Sequence, residues 1–199
     1  MDVIQHDVRR LDRLITDISD ASRLDAELAR DDAKRLDVGK LLENIIGAAR
    51  EVRRNKGIEI TLTAAKPAQA GKGFFVTGHD LRLGQVITNL IENARSFVPE
   101  TGGKVEIKLD QAGDTVRILV EDNGPGIRAE KIDRIFERFY TDRPSAEAFG
   151  QNSGLGLSIS RQIIEAHGGI IHAENMTDPK SEDIIGARFI VELPVNRKS

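Results

Sequence analysis

The stretch LVEDNGPGI, residues 119–127, decides how the chain is read. An apolar run, Ile118-Leu119-Val120, ends in two acids, Glu121 and Asp122, and the chain then turns through Asn123-Gly124-Pro125-Gly126. Asp-Asn-Gly alone marks only a turn. Here a buried strand delivers a carboxylate to a glycine hinge. A carboxylate fixed at a strand end can accept a hydrogen bond from an exocyclic amine, and such a bond discriminates strongly once buried. Gly124 and Gly126 tolerate unusual dihedrals and let the backbone pass close to a flat ring.

Outward from this stretch the pattern is mixed. "TVRILVE" (115–121) pairs with "KVEIKL" (104–109) as a hairpin around a turn at 110–114. Before it, residues 80–98 have helical spacing, with Leu81, Leu83, Val86, Ile87, Leu90, Ile91 and Ala94 on one stripe. Short strands are expected at 58–63 and 74–78, separated by a loop at 64–73. A helix is expected at 38–54, with Asp37 as N-cap and Gly57 as its stop. After the hinge come a short helical piece at 128–139, a loop at 140–153, a helix at 154–169, and strands at 170–175 and 187–194. Residues 1–30 read as one long amphipathic helix, carrying Ile4, Val8, Leu11, Leu14, Ile15, Ile18, Ala21, Leu24 and Leu28. Such a stripe needs a partner helix, unless this is an ordinary surface helix of the domain. The order predicts an α+β fold, a two-layer α/β sandwich behind a helical stalk.

Composition narrows the function. The chain has 199 residues, a net charge of −3 and no basic stripe, which argues against nucleic acid as a partner. It has no cysteine, so neither a disulfide nor a thiolate zinc site is available. Its apolar runs are too short to span a bilayer, and no signal peptide is visible. The chain begins inside an amphipathic pattern, so it is expected to be a piece of a longer protein.

Two further clusters share the chemistry of the hinge. In "NLIENA" (89–94), Asn89 and Asn93 lie one helical turn apart and project from one face. Asparagine is a poor helix-interior residue. The two amides either supply oxygen ligands to a hard cation or pair with nearby backbone. In "SGLGLS" (153–158), glycines open a helix whose free N–H groups and dipole favour an anion.

In this order the clusters resemble the N, G1, F and G2 boxes of histidine kinases and the wider gyrase-like (Bergerat) ATPase superfamily. "NLIENA" is similar to the N box, "EDNGPGI" to G1, "IFERFY" (135–140) to the F box and "GLGLSIS" to G2. The resemblance covers residues 37–195. It implies a mixed sheet packed on three helices, ATP and Mg2+ as cofactors, and Asp122 as reader of the adenine amine. It further implies a nucleotide pocket formed by Asn89, Asn93, Arg95, Ser96, Asp122, Gly124, Gly126, Ile127, Arg138, Tyr140, Ser153, Gly154, Leu155, Gly156 and Leu157. Asn89 and Asn93 would hold the metal, and Glu92 and Asn89 would be the catalytic pair. In gyrase-like relatives a water-activating glutamate matches Asn89. An amide cannot act as a base, so the kinase branch is favoured over a stand-alone ATPase or serine kinase. Phosphoryl transfer then rests on positioning and charge neutralisation.

Two positions depart from the family pattern. The lysine expected three residues after the second asparagine is Ser96, which moves the phosphate contact to Arg95, Arg138 or Arg143. A threonine expected after glycine in the last strand is Ala187, following Gly186. The run "FYTDRPSAEAFGQNSGLGLSIS" resembles the ChvG/BvrS group of alphaproteobacterial sensor kinases. That implies the cytoplasmic portion of an inner-membrane sensor, a response regulator as partner, and homodimerisation through the stalk. Residues 1–32 would be the second leg of the phosphotransfer hairpin. No acceptor box with its following Asn-Pro-Leu is present, and His6 lies at the start of a lone helix. The chain is therefore expected to bind ATP without phosphorylating itself.

Overall fold

The computed structural model describes residues 33–52, 57–65, 73–140 and 154–195. The expected stalk, residues 1–32, lies outside them, as does most of the expected loop, at 141–153. Seven strands and three helices follow in the order β1 (Lys34–Asp37), α1 (Val38–Val52), β2 (Glu59–Ala64), β3 (Phe75–Gly78), α2 (Asp80–Phe97), β4 (Lys104–Ala112), β5 (Thr115–Asp122), α3 (Gly156–Ala166), β6 (Ile170–Thr177) and β7 (Ile184–Pro194).

The main sheet has the order β2-β4-β5-β7-β6. β2 runs parallel to β4 and the other pairs are antiparallel, so the sheet is mixed. β5 lies at its centre, and alternation divides its side chains. Val116, Ile118 and Val120 are buried toward the helices, and Asp122 continues that parity. The hairpin is longer than its apolar pattern predicts, because Arg117 grips Asp110 through two bonds of 2.8 and 3.0 Å. This cross-strand pair carries the ladder to Ala112↔Thr115 and shortens the expected 110–114 turn to Gly113-Asp114.

The helices form the second layer, with α2 in contact with both α1 and α3. Leu83, Val86, Ile87, Leu90, Ile91 and Ala94 bury the expected stripe of α2, whereas Leu81 is 82% exposed. Asp37 does cap α1, since its Oδ1 accepts from the N–H groups of Gly39 (3.0 Å) and Lys40 (3.3 Å). Asp37 also ends a strand that the sequence reading missed. β1 pairs with β3 in a separate two-stranded sheet. Lys34 and Arg35 face solvent there, so β1 carries no apolar alternation.

The expected helix at 128–139 is instead two single 3-10 turns, Ala129–Lys131 and Arg134–Phe136. Short 3-10 pieces suffice where one anchor, here the buried Phe136, is to be seated. Its ring meets Phe189 edge-on at 6.3 Å, and the Arg161 guanidinium covers it at 4.3 Å. Among the described residues no helix is long and apolar enough to cross a membrane.

Candidate functional site

Helix α2 links the two glycine turns. Near its middle, Asn89 Nδ2 donates to the Gly156 carbonyl (3.2 Å) and to Ser160 Oγ (3.4 Å), tying α2 to the N-terminus of α3. At its far end, the Phe97 carbonyl lies against Gly124, where an added Cβ would sit 3.0 Å away. Asn93 lies between, one turn from each. At 1.5 Å per residue, the eight steps from Asn89 to Phe97 separate the two ends by about 12 Å. That span suits an extended small molecule rather than a lone ion.

At the hinge end stands Asp122, which is 5% exposed. Its Oδ1 accepts from Gly124 N (2.9 Å) and Ala187 N (3.4 Å). Oδ2 takes no partner among the described residues and is not one of their sealed, unpaired polar atoms. Burial pushes the carboxyl above the usual carboxylate range, and the two backbone bonds only partly offset this. One oxygen is thus fixed by the fold, and the other is open to a donor such as a ring amine.

At the other end, Gly154 has φ +71, and a side chain on it would crowd the Phe139 and Tyr140 backbone at 2.9 Å. Its carbonyl accepts from Phe139 N at 3.0 Å. Phe139 itself has φ 63, uncommon for a bulky residue, and this bond helps hold it there. Among the described residues no side chain caps α3 at Leu155, and the N–H groups and dipole of a helix's first turn favour an anion. Leu155 is buried and Leu157 packs on the core, so the turn is rigidly seated.

The two amides of α2 differ. Asn89 spends its NH2 on α3, which leaves Oδ1 as its acceptor. Asn93 is half-buried, and its side chain makes no hydrogen bond among the described residues. Two amide oxygens one turn apart, one on a fully uncommitted side chain, fit a hard cation that takes few protein ligands.

Not every expected residue joins them. Arg95 is buried, with Nη1 on Glu92 Oε1 at 2.9 Å and Nε sealed without an acceptor. In this arrangement it belongs to the packing of α2. Glu92 is exposed and held by Arg95. Ser96 turns its hydroxyl back to the Asn93 carbonyl at 2.6 Å. Arg138 is exposed beside the Gly154 turn, and the Tyr140 ring lies under Arg134 at 5.2 Å. Ser153 and Arg143 lie outside the described residues.

His79 stands at the N-cap of α2 and His167 at the C-cap of α3, and the two rings pair with each other. His167 Nδ1 donates to the Ile163 carbonyl (2.7 Å), so its Nε2 accepts from His79 N (3.1 Å). Asn175, expected only as the end of a strand, bonds the hinge through both ends of its amide. A signal was available. Asn175 shares parity with buried Ile171 and Ala173, and a polar residue at an apolar register position asks for a partner.

The family model for the "Histidine kinase-, DNA gyrase B-, and HSP90-like ATPase" matches residues 78–197. The sensor protein ChvG of Rhizobium meliloti (strain 1021) is 60% identical over 195 residues, covering 98% of this chain and 34% of its own length. This chain spans about a third of the length of the curated relatives it matches. Among solved structures, the catalytic domain of histidine kinase ThkA superposes with a TM-score of 0.68 at 29% identity, covering 82% of this chain and 96% of that one. Full-length ShkA in complex with AMPPNP gives 0.73 at 26% identity, covering 96% of this chain and 37% of that one.

Proposed function

The chain belongs to the histidine kinase-, DNA gyrase B-, and HSP90-like ATPase family, and we propose that it is the ATP-binding catalytic part of a sensor histidine kinase. One observation carries the reading. Asp122 is a buried carboxylate with one oxygen fixed by backbone and the other open among the described residues, about 12 Å along α2 from the glycine-opened N-terminus of α3. An amine-bearing ring with a phosphate tail matches both ends. The AMPPNP complex of ShkA supports this choice of ligand.

In this proposal Asp122 accepts the adenine amine, Gly124, Gly126 and Ile127 wall the ring, and the Gly154–Leu157 turn takes the phosphates. Asn93 and Asn89 would hold Mg2+ through their amide oxygens, and the ion, when bound, offsets phosphate charge. With Arg95 committed to Glu92, Arg138 is the described cation available to the phosphates. Glu92 acts by fixing Arg95. Residues 1–32 serve as one leg of a dimerising hairpin, and the phosphate passes to a histidine on the other leg and then to a response regulator. The parent protein is membrane-bound, with this part on the cytoplasmic side.

Calorimetry with ATP and with GTP, each with and without Mg2+, tests the reading. Binding of ATP over GTP is expected, strengthened by Mg2+, and Asn93→Ala should remove the Mg2+ enhancement. Equal binding of the two nucleotides, or none of either, would sink it. Incubation with labelled ATP should leave the chain unlabelled until a protein bearing the missing leg is added.

A further inference from the structure

The hinge after Asp122 has no regular structure to hold it. Residues 123–128 belong to neither strand nor helix, and Gly126 sits at φ +78. A loop that must present a flat wall to a ligand needs fixed backbone; Asn123 ties its start to Lys104 and Gly102, and its far end is fixed from β6. Asn175 Oδ1 accepts from Ile127 N at 2.7 Å, and Asn175 Nδ2 donates to the Ile127 carbonyl at 2.6 Å. One amide thus satisfies both backbone groups of one residue, as a neighbouring strand would. Gly126 has no side chain because that space is taken, since a Cβ there would lie 2.8 Å from Asn175 Oδ1 and collide with Ile184.

The clamp is also joined to the carboxylate. Asn175 pairs across the sheet with Ala187, and Ala187 N donates to Asp122 Oδ1. Asp122 in turn holds Gly124 N. The hinge is therefore gripped at Gly124 by Asp122 and at Ile127 by Asn175, and the two grips meet at Ala187.

We propose that Asn175 is a positioning residue for the nucleotide pocket, holding the Gly124–Ile127 hinge in the conformation that walls the base. The inference rests on the reading of this site as a nucleotide site. Asn175 touches no ligand. It acts through Ile127, and its removal leaves the binding groups in place on a loosened loop.

The test is calorimetric titration of the 199-residue chain with ADP. Asn175→Ala should bind ADP roughly tenfold more weakly, as expected for the loss of a paired amide clamp, with its thermal melt showing a folded protein. Asn175→Asp gives a readout that simple loosening would not move. At pH 8 its ionised carboxylate faces the Ile127 carbonyl with no proton to donate, so binding should be as weak as in Asn175→Ala. As pH falls to about 4 and the carboxyl protonates it regains a donor, and the deficit relative to the unmodified chain at the same pH should narrow. That normalisation removes the titration of Asp122, the other carboxyl at the hinge; Glu174 points to Arg188 instead (2.7 Å). Unchanged affinity in both variants, or a deficit in Asn175→Asp that ignores pH, would overturn the inference while leaving the nucleotide reading intact. No ADP binding by the unmodified chain would overturn both. Should Asn175→Ala fail to fold, Asn175→Asp carries the test alone.

Discussion

Glu121 and Asp122 are consecutive acids, both buried, at 6% and 5% exposure, yet they lie on opposite faces of the sheet and are treated differently. Glu121 is on the face away from the helices, where Lys108 Nζ reaches one oxygen at 2.8 Å and Arg188 Nε the other at 2.6 Å. Arg188 continues to Glu174 and Lys108 to Glu106, so the acid sits inside a cross-strand charge ladder. The bond to Glu121 holds the Lys108 ammonium charged above the usual lysine range. Asp122, one residue on, receives no cation, only two backbone N–H groups, and burial raises its pKa. A buried carboxylate with both oxygens paired serves the sheet. One left half-paired in an unfavourable environment is, in the function proposed above, held for the nucleotide.

The largest expected effect breaks the second half of that comparison. Asp122→Asn keeps an acceptor for Gly124 and Ala187 but can place an NH2 where the open oxygen was, so a ring amine would meet a donor. Affinity for ATP should fall ten- to a hundredfold, about 1.5–3 kcal/mol. The unliganded protein should become more stable at neutral pH. A folded pKa above the unfolded value means that the ionised side chain costs stability once pH rises through the folded pKa, and asparagine removes that cost. Weaker binding with a higher melting temperature is the expected pair of results. Wild-type ATP and GTP affinities in this variant would refute the adenine assignment.

The mirror experiment is smaller and opposite in kind. Glu121→Gln weakens both pairings of the ladder without disturbing the other face. Lys108 and Arg188 are about a third exposed and can turn to water, so the loss of stability should be near 1 kcal/mol. Nucleotide affinity should stay within twofold. A large loss of affinity in a still-folded Glu121→Gln would show that the two faces are coupled, and the division drawn between them would fail.

Sequence reading saw one side of this comparison better than the other. Asp122 was legible because three signals coincide there: the end of an apolar strand, a glycine hinge, and the spacing to the other boxes. The ladder was not, since the partners of Glu121 lie 13 and 67 residues away and only the register brings them together. Helices α1, α2 and α3 and six of the seven strands were readable from apolar period. β1 was not, because its exposed half carries Lys34 and Arg35. Arg95 shows the same limit at the site itself. An arginine two residues past Asn93 reads as a phosphate contact until packing is known, and burial against Glu92 cannot be inferred from spacing. Asn175 stayed hidden because its partner, Ile127, is a backbone and not a side chain.

The smallest effect concerns a half-buried titratable group, His167, whose partner is a carbonyl and not a cation. His167 is held neutral: Nδ1–H is spent on the Ile163 carbonyl and Nε2 must remain an acceptor for His79 N. Burial lowers its pKa, the Ile163 bond partly resists, and neighbouring His79 lowers it further. A histidine whose folded pKa lies below the unfolded value, about 6.5, contributes fully above that value. The contribution is lost progressively as pH falls through 6.5 toward the folded pKa, because the unfolded chain takes up the proton first. Denaturant unfolding between pH 8 and 5 should therefore show a decline in stability that is shallower in His167→Gln, whose amide oxygen can still accept from His79 N but does not titrate. ADP affinity, compared between the two proteins at each pH, should be the same, since the pair lies at the N-terminal end of α2, away from Asn93 and the hinge. An unaltered slope in His167→Gln would assign the acid sensitivity to other groups, with Asp122 excluded by its opposite sign.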